Sequence, residues 1–392
     1  TAGWMAAVSL FFMPRVFGHA HIASLESCMN LTYAATVLAV AHFWDAETPA
    51  SKRVACWTGA LFGLALLTKV QAIFIPIPVA IWAVLRWRQR AIVPLLLWGI
   101  VGLAVFYAGW PHLWDAAVDH LRQYLGQTTK RIVLHNWYAG RQFADRATPW
   151  HYPLVMFAVT VPLGIQLLGV WGVAALRKSI FSGGRELLVL AAILLPLCVF
   201  SLPGTPVYDG ARLFLVVFPL WALFAGRGGQ EAFDWLQKRM SATKSRITLC
   251  GILILQAYGI LFLAPYWLSY YNLAVGGLRG ADRLGFERTY WGDTVTHPLI
   301  EEALDKLPDS SRLFVAPVLH QFQLPAMLEQ EPLFSRHGIR LEPYEGGPLR
   351  DGDYLLVYYR RANMDIDLSE GWKVIAELRR EGVPLAGVYQ RL

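Results

Sequence analysis

The sequence predicts a polytopic α-helical membrane protein with a small soluble α/β domain at its C-terminal end. The chain has 392 residues, of which 55% are hydrophobic and only 16% charged. Soluble domains carry nearer to about 25% charged residues. Long apolar runs fill residues 1–266, whereas residues 267–392 hold many of the acids. We therefore expect a transmembrane domain over 1–266 and a water-soluble domain over 267–392.

The apolar runs of the first domain are separated by short polar breaks, as expected for membrane-spanning helices. A helix needs about 20 apolar residues to cross the hydrocarbon core, with a range of roughly 17–25. About nine candidate spans follow from this rule: 1–14, 24–43, 54–68, 71–85, 92–109, 153–176, 187–202, 212–226 and 247–266.

Basic residues set the predicted orientation of these spans. They cluster in alternate loops, around Lys52-Arg53, at 86–90, at 177–185 and at 227–246. The positive-inside rule places these loops in the cytoplasm, and the clusters also account for the net charge of +7 without a nucleic-acid partner. The loop 110–152 and the tail then lie on the non-cytoplasmic side. The sequence predicts a multi-pass protein of the plasma (inner) membrane whose C-terminal domain is periplasmic or extracellular.

The loop and the tail carry weaker secondary-structure patterns. In the loop, Trp114, Leu121, Tyr124 and Leu125 recur at near-helical spacing, which predicts an amphipathic helix at the lipid surface. The tryptophans between 110 and 150 are typical of a membrane-interface belt. In the tail, residues 295–306 read as a helix, and 312–318, 352–359 and 384–390 read as strands.

The cysteines indicate neither disulfides nor a metal centre. Cys28, Cys56, Cys198 and Cys250 all lie in or beside apolar segments, and no pair has the spacing of a zinc site. We expect free buried thiols, no metal site and no bound cofactor.

Ionisable residues near the membrane gather on the non-cytoplasmic side. Such residues are costly in or beside the bilayer and are functional candidates by default. They come from several loops and comprise Arg15, His19, His21, Glu26, Lys69, His112, His120, His135, His151, Tyr208, Asp209 and Arg212. The sequence therefore predicts one composite site at the outer surface. Simpler interpretations stay open, because Arg15 or Lys69 at a helix end can snorkel and Glu26 suits a helix N-terminus.

The run Val207–Arg212 indicates the chemistry of this site. Arg212 suits phosphate because its planar guanidinium makes bidentate contacts, and Lys69 adds a second positive charge. The cytoplasmic loops are too short to build a nucleotide site. We therefore expect a substrate whose phosphate is lipid-linked.

Four stretches carry a resemblance to a known family. They are Pro14–Glu26, Leu66–Lys69, Tyr208–Phe214, and Tyr270–Asn272 with 275–277 and Tyr290–Asp293. In order and sidedness they resemble the polyprenyl-phosphate-sugar-dependent glycosyltransferases of the GT-C type. This group (glycosyltransferase family 39 and its bacterial relatives) includes the protein O-mannosyltransferases and the lipid A aminoarabinose transferases.

The resemblance implies roles for individual residues. Glu26 and Asp209 would be the acids of the catalytic site, and Lys69 and Arg212 would bind the donor phosphate. Substrate-binding residues would be Arg15, His21, Tyr208 and His151. In this family the main catalytic carboxylate lies in the first outer loop. We expect that loop and the first helices to precede this sequence.

The implied reaction transfers a sugar from a polyprenyl phosphate to a protein, lipid or glycan acceptor, with inversion and without a metal. The partners would be membrane lipid, the lipid-linked sugar and the acceptor. Three alternatives remain: a transporter or flippase of lipid-linked glycans, a non-catalytic scaffold, and a polymerase of lipid-linked glycans. A transporter would carry polar residues or broken helices near the middle of the membrane, whereas the charges here lie at its outer edge.

Overall fold

The chain divides into two compact units. A computed structural model describes residues 2–129, 132–363, 366–368 and 370–392. Unit 1 comprises 1–134 and 145–262, and unit 2 comprises 135–144 and 263–392. The division near residue 262 lies close to the expected boundary at 266. The segment 135–144, which interrupts the helical unit in sequence, is grouped with the C-terminal unit.

Unit 1 is entirely helical in its described part, apart from loops and short 3-10 turns. Its helices are α1 (Ala2–Phe11), α2 (Pro14–Ala20), α3 (Glu26–Phe43), α4 (Lys52–Thr68), α5 (Pro76–Trp87), α6 (Ile92–Gly109), α7 (Ala117–Thr129), α8 (Tyr152–Thr160), α9 (Leu163–Phe181), α10 (Arg185–Phe200), α11 (Val217–Gln237), α12 (Ala242–Gln256) and α13 (Tyr258–Phe262). The expected amphipathic helix in the loop 110–152 is present as α7, with Leu121 and Leu125 exposed.

Within the described residues, two helical stretches are long and apolar enough to cross a membrane, Val70–Gly109 and Ala242–Phe262. The pair α8 and α9 meets the same criterion together, but the chain bends by 111° between them. The expected count of nine is not confirmed for the described residues. One reason is polarity, since α3 has 18 residues but includes Glu26, Asn30 and His42. Another is continuity, because Val70–Gly109 contains both of the expected spans 71–85 and 92–109.

Glycines allow two helix pairs to pack with their backbones close together. A Cβ on Gly172 of α9 would overlap the carbonyl oxygen of Phe224 in α11, and one on Gly228 would overlap that of Leu168. Between α4 and α6, a Cβ on Gly63 would lie 2.5 Å from the carbonyl oxygen of Gly102. Small residues at such positions are typical of helix packing in membranes, where close van der Waals contact drives association.

Unit 2 is an α/β domain built on a five-stranded mixed sheet. The strands β3 (Arg312–Ala316), β4 (Arg340–Pro343), β5 (Tyr354–Tyr358), β6 (Trp372–Arg380) and β7 (Val383–Arg391) follow the order β4-β3-β5-β7-β6. The first three strands pair in parallel, and β7 runs antiparallel to both β5 and β6. The helices are α14 (Gly277–Arg283), α15 (His297–Leu304), α16 (Gln323–Gln330) and α17 (Pro332–Arg336). The expected helix and three strands are present, whereas β4 and β6 were not expected.

The core of unit 2 lies between one face of the sheet and the short helices. Leu299, Ile300 and Phe334 from the helical segments pack against Val315 and Leu356 of the central strands. These side chains alternate along their strands with others on the opposite face, as the period of two requires. The opposite face carries a smaller cluster of Ala316, Leu355, Val357 and Tyr389.

A hairpin from the loop 110–152 belongs to unit 2. Its strands β1 (His135–Tyr138) and β2 (Arg141–Ala144) pair antiparallel, and the amide of Gly140 donates to the carbonyl of Gly285. Tyr138 is buried against Phe286. The ring of Tyr138 is therefore surrounded by protein side chains.

The four cysteines are free thiols, as expected, but they are not buried. Cys28, Cys198 and Cys250 are exposed and Cys56 is half-buried. Each lies on an apolar helix, and an apolar neighbourhood in sequence predicts burial only when the helix is surrounded by protein. These helix faces are left uncovered by the described part of the chain.

Candidate functional site

Glu26 is placed by the turn between α2 and α3. It is the first residue of α3, where the N-terminal end of the helix dipole favours a carboxylate. The helix is anchored further along, because the buried Tyr33 hydroxyl donates to the carbonyl of Ala192 in α10 at 3.0 Å. Glu26 is almost completely buried, with 2% of its side chain exposed.

Lys69 follows directly on the last residue of α4. Its backbone is extended, and a 3-10 segment, Val70–Phe74, begins after it. The hydroxyl of Thr32 in α3 donates to the hydroxyl oxygen of Thr68 at 3.3 Å. This hydrogen bond ties the end of α4 to the helix that carries Glu26, so the lysine emerges beside the carboxylate.

Asp209 and Arg212 occupy a tight turn before α11. Asp209 has a φ of 57° and Gly210 a φ of 65°, both in the left-handed region. A non-glycine residue is uncommon there, although aspartate tolerates it better than most. The amide of Arg212 donates to the carbonyl of Asp209 at 3.3 Å, which closes the turn. The same chain is held upstream, because the amide of Val207 donates to the carbonyl of Asp145 at 3.0 Å.

These three segments bring four charged side chains into one network, here called the ion cluster (Glu26, Lys69, Asp209 and Arg212). Lys69 Nζ donates to Glu26 Oε1 at 2.6 Å, and Arg212 Nε donates to the same oxygen at 2.7 Å. Arg212 Nη1 donates to Asp209 Oδ2 at 3.0 Å. The guanidinium also lies over the ring of Tyr208, 5.9 Å from its centroid.

Burial differs between the acids and the bases of the ion cluster. The side chains of Glu26 and Asp209 are 2% and 6% exposed, whereas those of Lys69 and Arg212 are 18% and 27% exposed. The carboxylates thus form the buried side of the network and the cations its accessible side. The two buried carboxylates hold the two cations in place. An approaching anion would therefore meet the positively charged groups first.

His19 lies near the ion cluster and outside the membrane spans predicted from the sequence. It is buried in α2, and it senses the charges of Glu26, Arg15, Arg212 and Lys69. Burial, helped by the three cations, lowers the pKa of His19 to about 4 against the opposing effect of Glu26. The imidazole is therefore neutral at pH 7. No substrate-binding role was expected for His19, although it belongs to the same polar run, Pro14–Glu26.

Three further residues were expected to bind substrate. Arg15 is buried in α2, 2% exposed, one helical turn before His19. His21 is exposed, and its Nδ1 hydrogen-bonds the carbonyl of Phe17 at 2.8 Å. His151 lies at the start of α8 with its ring packed edge-on against Trp150. Their roles stay predictions.

Among the described residues, no group of three His, Cys, Asp or Glu side chains is arranged to hold a metal ion.

Comparison with known proteins shows a likeness to a solved structure. No protein-family model matches the chain, and no curated protein matches it. It is similar to the crystal structure of ArnT from Cupriavidus metallidurans bound to undecaprenyl phosphate. The TM-score is 0.38 and the identity 13%, over 100% of this chain and 79% of that chain.

Proposed function

We propose that the protein transfers a sugar from a polyprenyl-phosphate-linked donor to an acceptor at the outer face of the membrane. The observation that carries the proposal is the ion cluster, in which two accessible cations, Lys69 and Arg212, stand in front of two buried carboxylates. The order of the motifs in the sequence, which resembles the GT-C glycosyltransferases, supports the same reaction.

The cations suit the phosphate of a lipid-linked donor. A guanidinium presents five N–H donors in a fixed fork and an ammonium three, so both can bond to phosphate oxygens while still bonded to Glu26. Lys69 lies at the end of one apolar helix and Arg212 just before another. A phosphate attached to a membrane-embedded lipid would reach such helix ends, whereas its lipid tail would stay beside the apolar helices.

The proposed reaction breaks the bond between the sugar's anomeric carbon and the phosphate oxygen. The bond's electron pair leaves with the polyprenyl phosphate, where Lys69 and Arg212 stabilise the growing negative charge. A new bond forms between the anomeric carbon and the acceptor oxygen, whose proton passes to a carboxylate base. Inversion at the anomeric carbon and independence of metals belong to the proposal.

The geometry favours a positioning role for the two acids of the ion cluster. Glu26 accepts hydrogen bonds from both cations through a single oxygen, and Asp209 accepts from Arg212. A carboxylate engaged by cations is a weak base because the ion pairs favour its charged form. We therefore assign Glu26 and Asp209 to fixing the cations, and the acceptor's proton to a carboxylate outside the ion cluster.

The test is sugar transfer by the protein reconstituted in vesicles with a radiolabelled polyprenyl-phosphate sugar. Lys69→Ala and Arg212→Ala should each lower the transfer rate by about 10²–10³-fold, the usual effect of removing one charge-stabilising donor. Lys52→Ala is the matched control, because Lys52 is an exposed lysine at the opposite end of the same helix, α4. This control should transfer at the wild-type rate.

Two outcomes would contradict the proposal. One is that Lys69→Ala, Arg212→Ala and the control Lys52→Ala all transfer sugar at the wild-type rate. The other is movement of an intact lipid-linked glycan across the bilayer without transfer to any acceptor, which would favour the transporter alternative.

A further inference from the structure

A polar pocket lies in unit 2, on the face of the sheet opposite the main core. We call this face the tyrosine face and define it by Leu355, Val357, Tyr359 and Tyr389. Strand pairing places Leu355 opposite Tyr389, and Val357 opposite Gly387. The face therefore has a glycine at its centre, and the positions around this glycine carry large side chains.

A β-bulge brings an acid onto this face. In β6 the pairing with β7 shifts between Val374 and Ala376, so that Ile375 is the extra residue and packs in the main core. Such a bulge changes the face on which the following side chains lie. Beyond it, Glu377 pairs with Gly387 and lies on the tyrosine face.

Gly387 makes room for a chain of hydrogen bonds across the face. A Cβ at Gly387 would lie 2.7 Å from the hydroxyl of Tyr389, so this phenol reaches over the glycine. The Tyr389 hydroxyl donates to Glu377 Oε1 at 2.6 Å and is 2.6 Å from the Tyr359 hydroxyl. Burial raises the pKa of both phenols, so both remain protonated at neutral pH.

A pocket of about 640 Å³ lies over these hydrogen bonds. Three arginines line it: Arg288, Arg361 and Arg379. Arg288 bonds Asp282 through Nε at 2.5 Å and through Nη2 at 3.1 Å, and its guanidinium lies over the Tyr359 ring. Arg361 Nη1 lies 3.4 Å from Asp282. The pocket is thus walled by planar groups that are fixed in orientation.

The charges of the pocket nearly cancel. Arg379 pairs with Glu377, Arg288 and Arg361 share Asp282, and Asp367 also lines the wall. Three arginines are therefore balanced by three acids, of which Glu377 and Asp367 line the pocket and Asp282 lies outside its lining. An anion gains little in such a pocket, whereas a ligand whose groups both donate and accept hydrogen bonds finds partners of both kinds. Hydroxyl groups have this property.

We propose that the tyrosine face of unit 2 is a binding site for a neutral carbohydrate, held by hydrogen bonds to Tyr359, Glu377 and Arg361. The volume lies within the range of small-molecule sites, about 300–1,000 Å³. Val374, which is exposed, and Pro384 supply apolar surface for the C–H faces of the sugar rings. The proposal goes beyond the transfer reaction and does not depend on it.

The test is calorimetric titration of the full chain in a detergent without a sugar headgroup. The probes are mannotriose and chitotriose, which are neutral, and a sialylated trisaccharide, which is acidic. At least one neutral probe should bind, and Glu377→Gln and Tyr359→Phe should each weaken it tenfold or more. Arg340→Ala is the control, since it is exposed on β4, at the other edge of the sheet.

Each outcome decides the proposal. Binding of a neutral probe that the two variants weaken and Arg340→Ala leaves unchanged supports it, provided the variants unfold at the wild-type temperature. Tighter binding of the acidic probe, binding that neither variant changes, or no binding of any probe overturns it. If Glu377→Gln proves unstable, the Tyr359→Phe variant, which removes a single hydroxyl, decides alone.

Discussion

Lys69 Nζ lies 2.6 Å from Glu26 Oε1, although 43 residues separate the two in sequence. The same oxygen receives Arg212 from a third part of the chain. One buried carboxylate oxygen thus fixes both cations to which we assign the donor phosphate. The geometry makes each member of the ion cluster separately testable.

Glu26→Gln should destabilise the protein, because it leaves Lys69 and Arg212 beside an uncharged group. Removing one partner of a buried ion pair costs about 3–5 kcal/mol. We expect about 3 kcal/mol, at the lower end, since both cations are partly exposed. Thermal unfolding in detergent measures this change. The control Glu302→Gln, in α15, breaks an exposed pair with Lys306 and should cost less than about 1 kcal/mol. Equal losses in the two variants would contradict a buried network.

Asp209 allows its backbone conformation and its charge to be tested separately. Asp209→Asn should keep the left-handed turn, because asparagine also tolerates it, but should lower sugar transfer about tenfold by releasing Arg212. Asp209→Val should in addition lose about 1–3 kcal/mol of stability, since a β-branched residue is strained at a φ of 57°. Transfer and thermal unfolding are measured side by side. A fully active asparagine variant would exclude a role for the carboxylate in holding Arg212.

The contact between α9 and α11 should depend on the absence of a side chain at Gly172. Gly172→Ala places a Cβ into the carbonyl oxygen of Phe224, so the helices must separate. We expect a loss of about 1–3 kcal/mol, as for other overpacked sites, read as a lower unfolding temperature. Gly251→Ala in α12 is the matched control, because no atom lies within 4 Å of its Cβ position. The packing account fails if both variants unfold at the same temperature.

Stability should fall as the pH is lowered below about 6.5, because of His19. Its pKa is about 4 in the folded protein and 6.5 in the unfolded chain, so the unfolded state takes up the proton first. Each pH unit in this window costs about 1.4 kcal/mol, which amounts to about 2 kcal/mol between pH 6.5 and pH 5. Comparison of the unfolding temperatures of the wild type and His19→Gln isolates the effect. A variant with the same pH dependence as the wild type would contradict the burial of a neutral imidazole.

The sequence is informative about the membership of the ion cluster but not about its geometry. The side on which Glu26, Lys69, Asp209 and Arg212 fall follows from the basic loops, and the structure brings these four together. Glu26 bridges both cations because contacts such as the Thr32–Thr68 hydrogen bond fix the distances between their side chains. These contacts join residues far apart in the chain, so no local sequence pattern predicts them. His19 was among the residues predicted for the site, but its neutral state was not, because its burial is a property of the packed helices.

The same limit applies to the fold. The bulge at Ile375 breaks the alternation in β6, so its sequence does not read as a strand. The hairpin 135–144 lies in a loop between apolar runs, and only long-range contacts such as Gln142 with the carbonyl of Ala362 place it in unit 2. The number of membrane spans could not be predicted from the sequence either, because the apolar runs of α5 and α6 join into one helical stretch.

The most direct test of the central claim is the binding of a polyprenyl phosphate compared with the corresponding polyprenol, which lacks the phosphate. We expect the wild-type protein to bind the phosphate form at least tenfold more tightly. This preference should disappear in Lys69→Ala and in Arg212→Ala and persist in Lys52→Ala. An equal preference for the phosphate in all four proteins would contradict the assignment of the ion cluster to the donor phosphate.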